Sequence, residues 1–235
     1  MTTAPATKRR RRASRGSGEH LRAEIVSATK RLLAQSANSD AVSIRAVADA
    51  VGVTSPSIYL HFADKDALIE AVVVDVFAEL DAAMVAAGDA VDEPLAKLRA
   101  YGIAYVKFAV AHPEHYRVAT MERCVGEEAG QLDQILADSA FTHFMATVTD
   151  CMDAGIFAPG DPLPVTLQLW SAAHGVASLM IAKPYLPWGD VEAAADPVLC
   201  AAALGKATGD LIGPDLSPPA VTRWLAAQRS TRSTR

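Results

Sequence analysis

The stretch GVTSPSIYLHFADKDAL, residues 52–68, gathers Thr54, Ser55, Ser57, Tyr59, His61 and Lys65 around Pro56. Burying a core does not require that mixture. Hydroxyls donate and accept at short range, a phenol and an imidazole reach further, and an ammonium supplies charge. Together they suit a surface of phosphate oxygens and base edges. Lys65 is informative by itself. A cation in the first turn of a helix opposes the macrodipole at a cost of about 0.3–1 kcal/mol, and an anion bound there reverses the sign. The surface that fits this set is B-form DNA.

Such residues need rigid elements to present them. VSIRAVADAVG reads as a short helix with Ser43 at or near its N-cap and Gly52 ending it in the left-handed conformation. TSPSIYLHF reads as a second short helix, capped by Thr54 or Ser55, with Pro56 in the first turn where a missing N–H costs nothing. Ala46, Val47, Val51, Val53 and Ile58 supply the apolar faces that set the angle between them. The result is a helix-turn-helix over about residues 43–62, which offers the N-terminal end of its second helix to a major groove.

Charge follows the same division. The 235-residue chain has a formal net charge of −5, but residues 1–66 hold 11 Lys/Arg against 6 Asp/Glu, and residues 67–235 hold 11 against 21. A basic beginning on an acidic body assigns any polyanion to the N-terminal part. Residues 1–18 carry Lys8, Arg9, Arg10, Arg11, Arg12 and Arg15 in a low-complexity setting. They read as a flexible basic arm, either a solvated tail or an arm lying on phosphates or in a minor groove.

Beyond the arm the chain reads as all-α: a three-helix head and a larger helical body. A first helix over about 19–36 places Leu21, Ile25, Ala28 and Leu32 on one face, and a fourth runs from about Asp64 to Ala87. Further helices are expected at 92–111, 113–123, 127–154, 162–182 and 192–212, with the Pro/Gly punctuation falling between them. The domain boundaries are 1–18 for the arm, 19–79 for the DNA-binding head, 80–227 for the effector-binding and dimerisation body, and 228–235 for a flexible tail. The segment 162–182 approaches membrane-span length, but Gln168, Ser171, His174 and Ser178 interrupt it. A helix buried between subunits explains it better, and the chain reads as cytoplasmic, with no membrane partner.

SIRAVADAVGVTSPSIYLHFADKDALIEAVV resembles the DNA-binding segment of TetR-type transcriptional regulators. The resemblance rests on Gly52-Val53 followed by Tyr59-x-His61-Phe62-x-x-Lys65-x-x-Leu68, and it covers residues 20–75. It implies that Tyr59, His61 and Lys65 bind phosphates, that Ser55, Pro56 and Ser57 approach bases, and that Arg45 adds a contact from the preceding helix. With Ser43 and Thr54 these form the DNA-contacting set. Leu60 stands where a bulky or aromatic residue is common. Phe62 and Leu68 are core. The resemblance further implies a bacterial regulator, by family habit a repressor, that binds a palindromic double-stranded operator as a homodimer and answers to a small-molecule effector.

In the body, LWSAAHGVASLM resembles a Trp-x-x-x-His-Gly pattern in one subgroup of TetR-type C-terminal domains. Trp170 and His174 share a helix face, and either a core pair or a ligand-orienting pair fits that spacing. Tyr105, Phe108, Tyr116, Phe141, Phe144 and Met145 join them as candidate lining of a pocket for an apolar molecule. The helices at 162–182 and 192–212 are the candidates for a four-helix dimer interface.

Other chemistries find little support. Cys124, Cys151 and Cys200 are widely spaced and form no CxxC or His/Cys cluster, so neither a disulfide framework nor a metal site is expected. No nucleophile elbow, phosphate loop or paired-carboxylate constellation is present, so neither catalytic residues nor a cofactor is assigned. The competing reading is a small helical carrier or enzyme with an incidental DNA-like head.

Overall fold

The computed structural model describes residues 17–35, 42–120 and 140–232. Among these residues there are ten helices and no strand. They are α1 (Ser17–Gln35), α2 (Ile44–Val51), α3 (Ser55–Tyr59), α4 (Lys65–Gly88), α5 (Pro94–Ala111), α6 (Pro113–Thr120), α7 (Ala140–Asp153), α8 (Pro162–Ala182), α9 (Val191–Ile212) and α10 (Pro218–Arg232).

Caps account for most of the starts. The carboxylates of Asp64, Asp161 and Asp190 accept from the N–H groups of Ala67 at 2.8 Å, Leu163 at 3.0 Å and Ala193 at 2.9 Å. Each satisfies one of the N–H groups that a helix start leaves without a partner. Pro94, Pro113, Pro162 and Pro218 open four of the helices, where their fixed φ fits and no donor is lost.

The chain divides into two compact units. The first comprises residues 1–81 and 111–139, the second 82–110 and 140–235. The boundary falls inside α4, and the first unit takes in α6, which the sequence division at residues 79/80 assigns to the body. Helix α6 packs on α1 in that unit, with Tyr116 1% exposed.

In the first unit α1 contributes Ile25, Ala28 and Leu33, α2 Val47 and Ala48, α3 Ile58, and α4 Leu68, Val72 and Val76, all buried. Burying a side chain of this size stabilises by about 1.5–3 kcal/mol. Lys30 is 7% exposed, and its ammonium lies 2.7 Å from Asp75 and 2.6 Å from Glu79. Burial works against its charge, but the hydrogen bonds to Asp75 and Glu79 outweigh it and hold Lys30 above the usual lysine range.

In the second unit Leu98, Tyr101 and Val106 of α5, Val148 and Cys151 of α7, and Val165, Leu169, Val176 and Ala177 of α8 are buried, with Phe157 between α7 and α8. Helix α8 is long and apolar enough to cross a membrane by length and composition, with 39% of the relevant window buried. Its neighbour α9 contains Pro197, contrary to the expectation that proline falls only between helices. Lacking an N–H, Pro197 cannot donate to the carbonyl one turn back.

Two further departures concern the ends. Helix α10 was absent from the sequence reading, and it carries regular structure past residue 228, where a flexible tail was expected to begin. Its sequence PPAVTRWLAAQRSTR opens on two prolines and has few large apolar residues, which concealed it. The basic arm with Arg9 to Arg12, Cys124, and the parts of the expected helices 113–123 and 127–154 that fall between residues 121 and 139 lie outside the described residues.

The turn between α2 and α3 generates a stability test. Gly52 has φ +76°, and a Cβ added there would meet nothing within 4 Å. The cost of Gly52→Ala is therefore backbone strain without a clash. Guanidinium denaturation should show a loss of about 1–2 kcal/mol, and an unchanged stability would contradict the assigned conformation.

Candidate nucleic-acid interface and the body cavity

The turn at Gly52 closes as a Schellman motif. Gly52 N–H donates to the carbonyls of Ala48 at 2.9 Å and Asp49 at 3.3 Å, and Val53 N–H donates to Ala48 at 3.0 Å. At the other end of α2, Ser43 Oγ accepts from Ala46 N–H at 3.2 Å, so this hydroxyl caps the helix. Arg45, two residues on, is exposed. Val47 and Ile58 are both fully buried and fix α3 against α2.

Helix α3 is one and a half turns long, and its side chains separate by exposure. Thr54, Pro56, Tyr59 and Leu60 are exposed, while Ser55, Ser57 and His61 are half-buried. Thr54 Oγ1 and Ser57 Oγ are 3.0 Å apart and share a hydrogen bond, which leaves each hydroxyl further capacity toward an outside partner. Tyr59 is 53% exposed and Leu60 84%. Leu60, whose role the sequence left open, therefore projects into solvent beside the tyrosine. Exposure was the missing signal, since an apolar residue in a short helix reads as core.

Phe62 is buried and carries the Arg22 guanidinium 4.9 Å from its ring centroid. Phe62 thus ties the end of the α3 segment to α1. His61 lies against the first turn of α1, where a Cβ on Gly18 would be 3.9 Å from the imidazole Cε1. Lys65 is the first residue of α4, directly after the capping Asp64. The nine expected DNA-contacting residues thus fall on the α2 N-terminus, α3, and the segment leading into α4.

The second unit holds a cavity of about 330 Å³, walled mainly by Leu98, Gly102, Phe144, Leu169, Ala173 and Leu199. Of the eight expected pocket residues, Phe144 is in this wall. Tyr116 lies in the other unit as core. Phe108 and Met145 are half-buried and not in the wall. Tyr105, Phe141, Trp170 and His174 form a separate cluster. Trp170 Nε1 donates to Tyr105 Oη at 3.1 Å, and that hydroxyl lies 3.3 Å from His174 Nδ1. Phe141 meets the Trp170 ring edge-on at 6.4 Å, and the Trp170 and His174 rings are 5.5 Å apart.

Sequence reasoning missed Gly102, Leu169, Ala173 and Leu199, because small and aliphatic residues carry no chemical signal. Among the described residues no group of three or more His, Cys, Asp and Glu side chains is placed to hold a metal ion.

Two family profiles match the chain. The one described as bacterial regulatory proteins, tetR family, matches residues 25–72, and the tetracyclin repressor-like C-terminal domain matches residues 98–202. No curated protein sequence matches at a significant level. Among solved structures, a protein of unknown function from Rhodococcus sp. RHA1 is similar with a TM-score of 0.69 and 26% identity, over 80% of this chain and 95% of that one. The fatty acid degradation regulator FadR from Bacillus halodurans gives 0.66 and 16%, over 78% and 98%. RolR in complex with resorcinol gives 0.60 and 16%, over 80% and 88%.

The Tyr105–Trp170–His174 cluster has a pH signature. Burial holds the His174 imidazole below its usual value of 6.5, so the folded chain keeps it neutral. The unfolded chain binds that proton more readily, so the contribution to stability is fully present above pH 6.5 and is lost as the pH falls toward the folded value. Denaturation midpoints measured from about pH 7.5 down to about pH 5.5 should fall further for wild type than for His174→Phe. Parallel curves would show that His174 titrates as an ordinary exposed histidine.

Proposed function

The chain belongs to the tetR family of bacterial regulatory proteins and is a DNA-binding transcription regulator; from that premise we propose that it is a repressor, binding a palindromic operator as a homodimer and released by a small apolar effector. The observation that carries the reading is the recognition segment itself. A glycine-set turn holds a row of exposed and half-buried hydroxyl, phenol and imidazole groups, within residues 1–66, which are net basic while residues 67–235 are net acidic.

In this reading Tyr59, His61 and Lys65 bind phosphates, as does the arm with Arg9, Arg10, Arg11 and Arg12, and Arg45 adds a contact from α2. Thr54, Ser55, Pro56 and Ser57 approach base edges. Exposed Leu60 joins them, because an apolar side chain in the major groove suits a thymine methyl. Ser43 serves by capping α2 and so holding Arg45 in place. No catalytic role is assigned to any residue, and the place of action is the cytoplasm, at the nucleoid.

Dimerisation is assigned to α8 and α9. Leu163, Leu167 and Leu179 on α8 and Val198, Leu204 and Leu211 on α9 are each more than 40% exposed. Helix α8 carries no Asp, Glu, Lys or Arg. An isologous contact sets like against like, so a charge-free helix pairs with its own copy without repulsion. Two recognition segments about 34 Å apart, or a multiple of it, then read successive major grooves. The cavity in the second unit supplies the effector site, and the resorcinol complex of RolR supports a small organic ligand. A coupling of about 1–3 kcal/mol between effector and operator suffices for release.

Selection of bound duplexes from a random pool tests the reading, with the double variant Lys65→Ala/Tyr59→Phe as control. Wild type should enrich a palindrome and the variant should not. Lys65→Ala alone should lower the slope of log affinity against log salt by about 0.9 per protomer. Enrichment of a non-palindromic site, or equal enrichment by the variant, would refute the assignment.

A further inference from the structure

The body cavity is hydrocarbon over nearly all of its wall, so what distinguishes one lipophile from another there is the charge at its rim. Glu93 and Arg99 both line the cavity. Arg99 Nε donates to Asp196 Oδ1 at 2.5 Å, and the Cys200 thiol, also in the wall, donates to the same oxygen at 3.4 Å. The guanidinium is therefore already committed to a carboxylate. Glu93 caps α5, its two oxygens accepting from Leu95 N–H at 3.1 Å and Ala96 N–H at 2.5 Å.

The wall itself carries one carboxylate, Glu93, and one guanidinium, Arg99; with Arg99 committed to Asp196 outside the wall, the charge that remains there is that of Glu93. The neighbouring lysines lie outside the wall. Lys107 is paired with Glu192 at 2.6 Å, Lys206 with Asp210, and Lys97 lies over the Tyr101 ring; none of the three is in the wall. Glu93 is also felt further inside. Burial first, then the charges of Glu93 and Asp150, push the fully buried Cys151 thiol up to about 11.

Resting on the reading of this cavity as the effector site, we propose that it admits lipophiles carrying no negative charge, neutral or cationic, and sets the polar end of such a molecule beside Glu93. An anionic headgroup there must either face Glu93 or separate Arg99 from Asp196. A cation meets Glu93 without breaking an existing pair, and a neutral molecule leaves the rim as it is. Among the described residues the buried side-chain oxygen without a hydrogen-bond partner is Ser178 Oγ, which is not part of the wall, so the wall asks for no polar complement.

The test is calorimetric titration of the full chain with decyltrimethylammonium, decanol and decanoate, each below its micellar range, so that tail length is constant and charge varies. The ammonium and the alcohol should bind, and decanoate should bind at least about tenfold more weakly. Glu93→Gln should narrow the gap between the ammonium and decanoate. Ala173→Phe, or Ala203→Phe should the first fail to fold, should remove binding of every probe. Decanoate binding as tightly as decanol would overturn the charge selection while leaving the site in place. Absence of binding by all probes, or binding unaffected by the cavity-filling variants, would overturn the cavity as effector site and the selection with it.

Discussion

Everything the recognition segment presents depends on the chain reversing at Gly52. A left-handed φ of 76° is available to glycine at little cost, and the backbone hydrogen bonds from Gly52 and Val53 to the end of α2 lock it. From that reversal Ile58 enters the core opposite Val47, and the remaining α3 side chains are then placed by helical geometry alone. Thr54, Tyr59 and Leu60 face outward because Ile58 and Phe62 face inward. The exposed face of α3 follows from two buried apolar residues and one glycine.

The first unit uses charge in two distinct ways. On the surface Arg45 and Lys65 stand near the segment expected to meet phosphate. Inside, Lys30 is enclosed by Asp75 and Glu79 of α4, while the carbonyl of Lys30 lies 2.9 Å from His115 Nε2 of α6. Thus α1 is tied to α4 through its side chain and to α6 through its backbone, at one residue. A buried cation left unpaired is costly, which makes the register of α1 against α4 specific. That specificity matters because α1 also carries Arg22 on Phe62 and Gly18 against His61.

The all-helical class was legible because the head's motif has fixed spacings and the body's helices are long and well punctuated. Residues 162–182 were read to the residue, since Asp161 and Pro162 begin that helix and Lys183-Pro184 follow it. Helix α10 was not legible, because Val221, Trp224 and Leu225 are its only large apolar residues and a pair of prolines precedes them. The membership of α6 was illegible for another reason. Its place in the chain lies between body helices, and only the burial of Tyr116 against the first unit reveals where it packs.

The expected pocket lining and the cavity in the second unit share Phe144 alone, and the difference is instructive about cavities in general. Aromatic residues are large and chemically distinct, yet size is the property that lets them fill space. Tyr105 joins Trp170 and His174 through its hydroxyl, and the three rings pack together rather than lining the void. The cavity lies instead where side chains are short, beside Gly102, Ala173 and Ala203, with leucines around them. A cavity is a deficit of side-chain volume between packed helices, and a deficit appears in a sequence only as alanine and glycine, which also read as close packing. At Gly102 both readings hold together: a Cβ there would lie 3.0 Å from the Leu199 side chain of α9, so that leucine packs on the same residue that borders the void. Glycine allows the contact, and the leucines beyond it keep the space open.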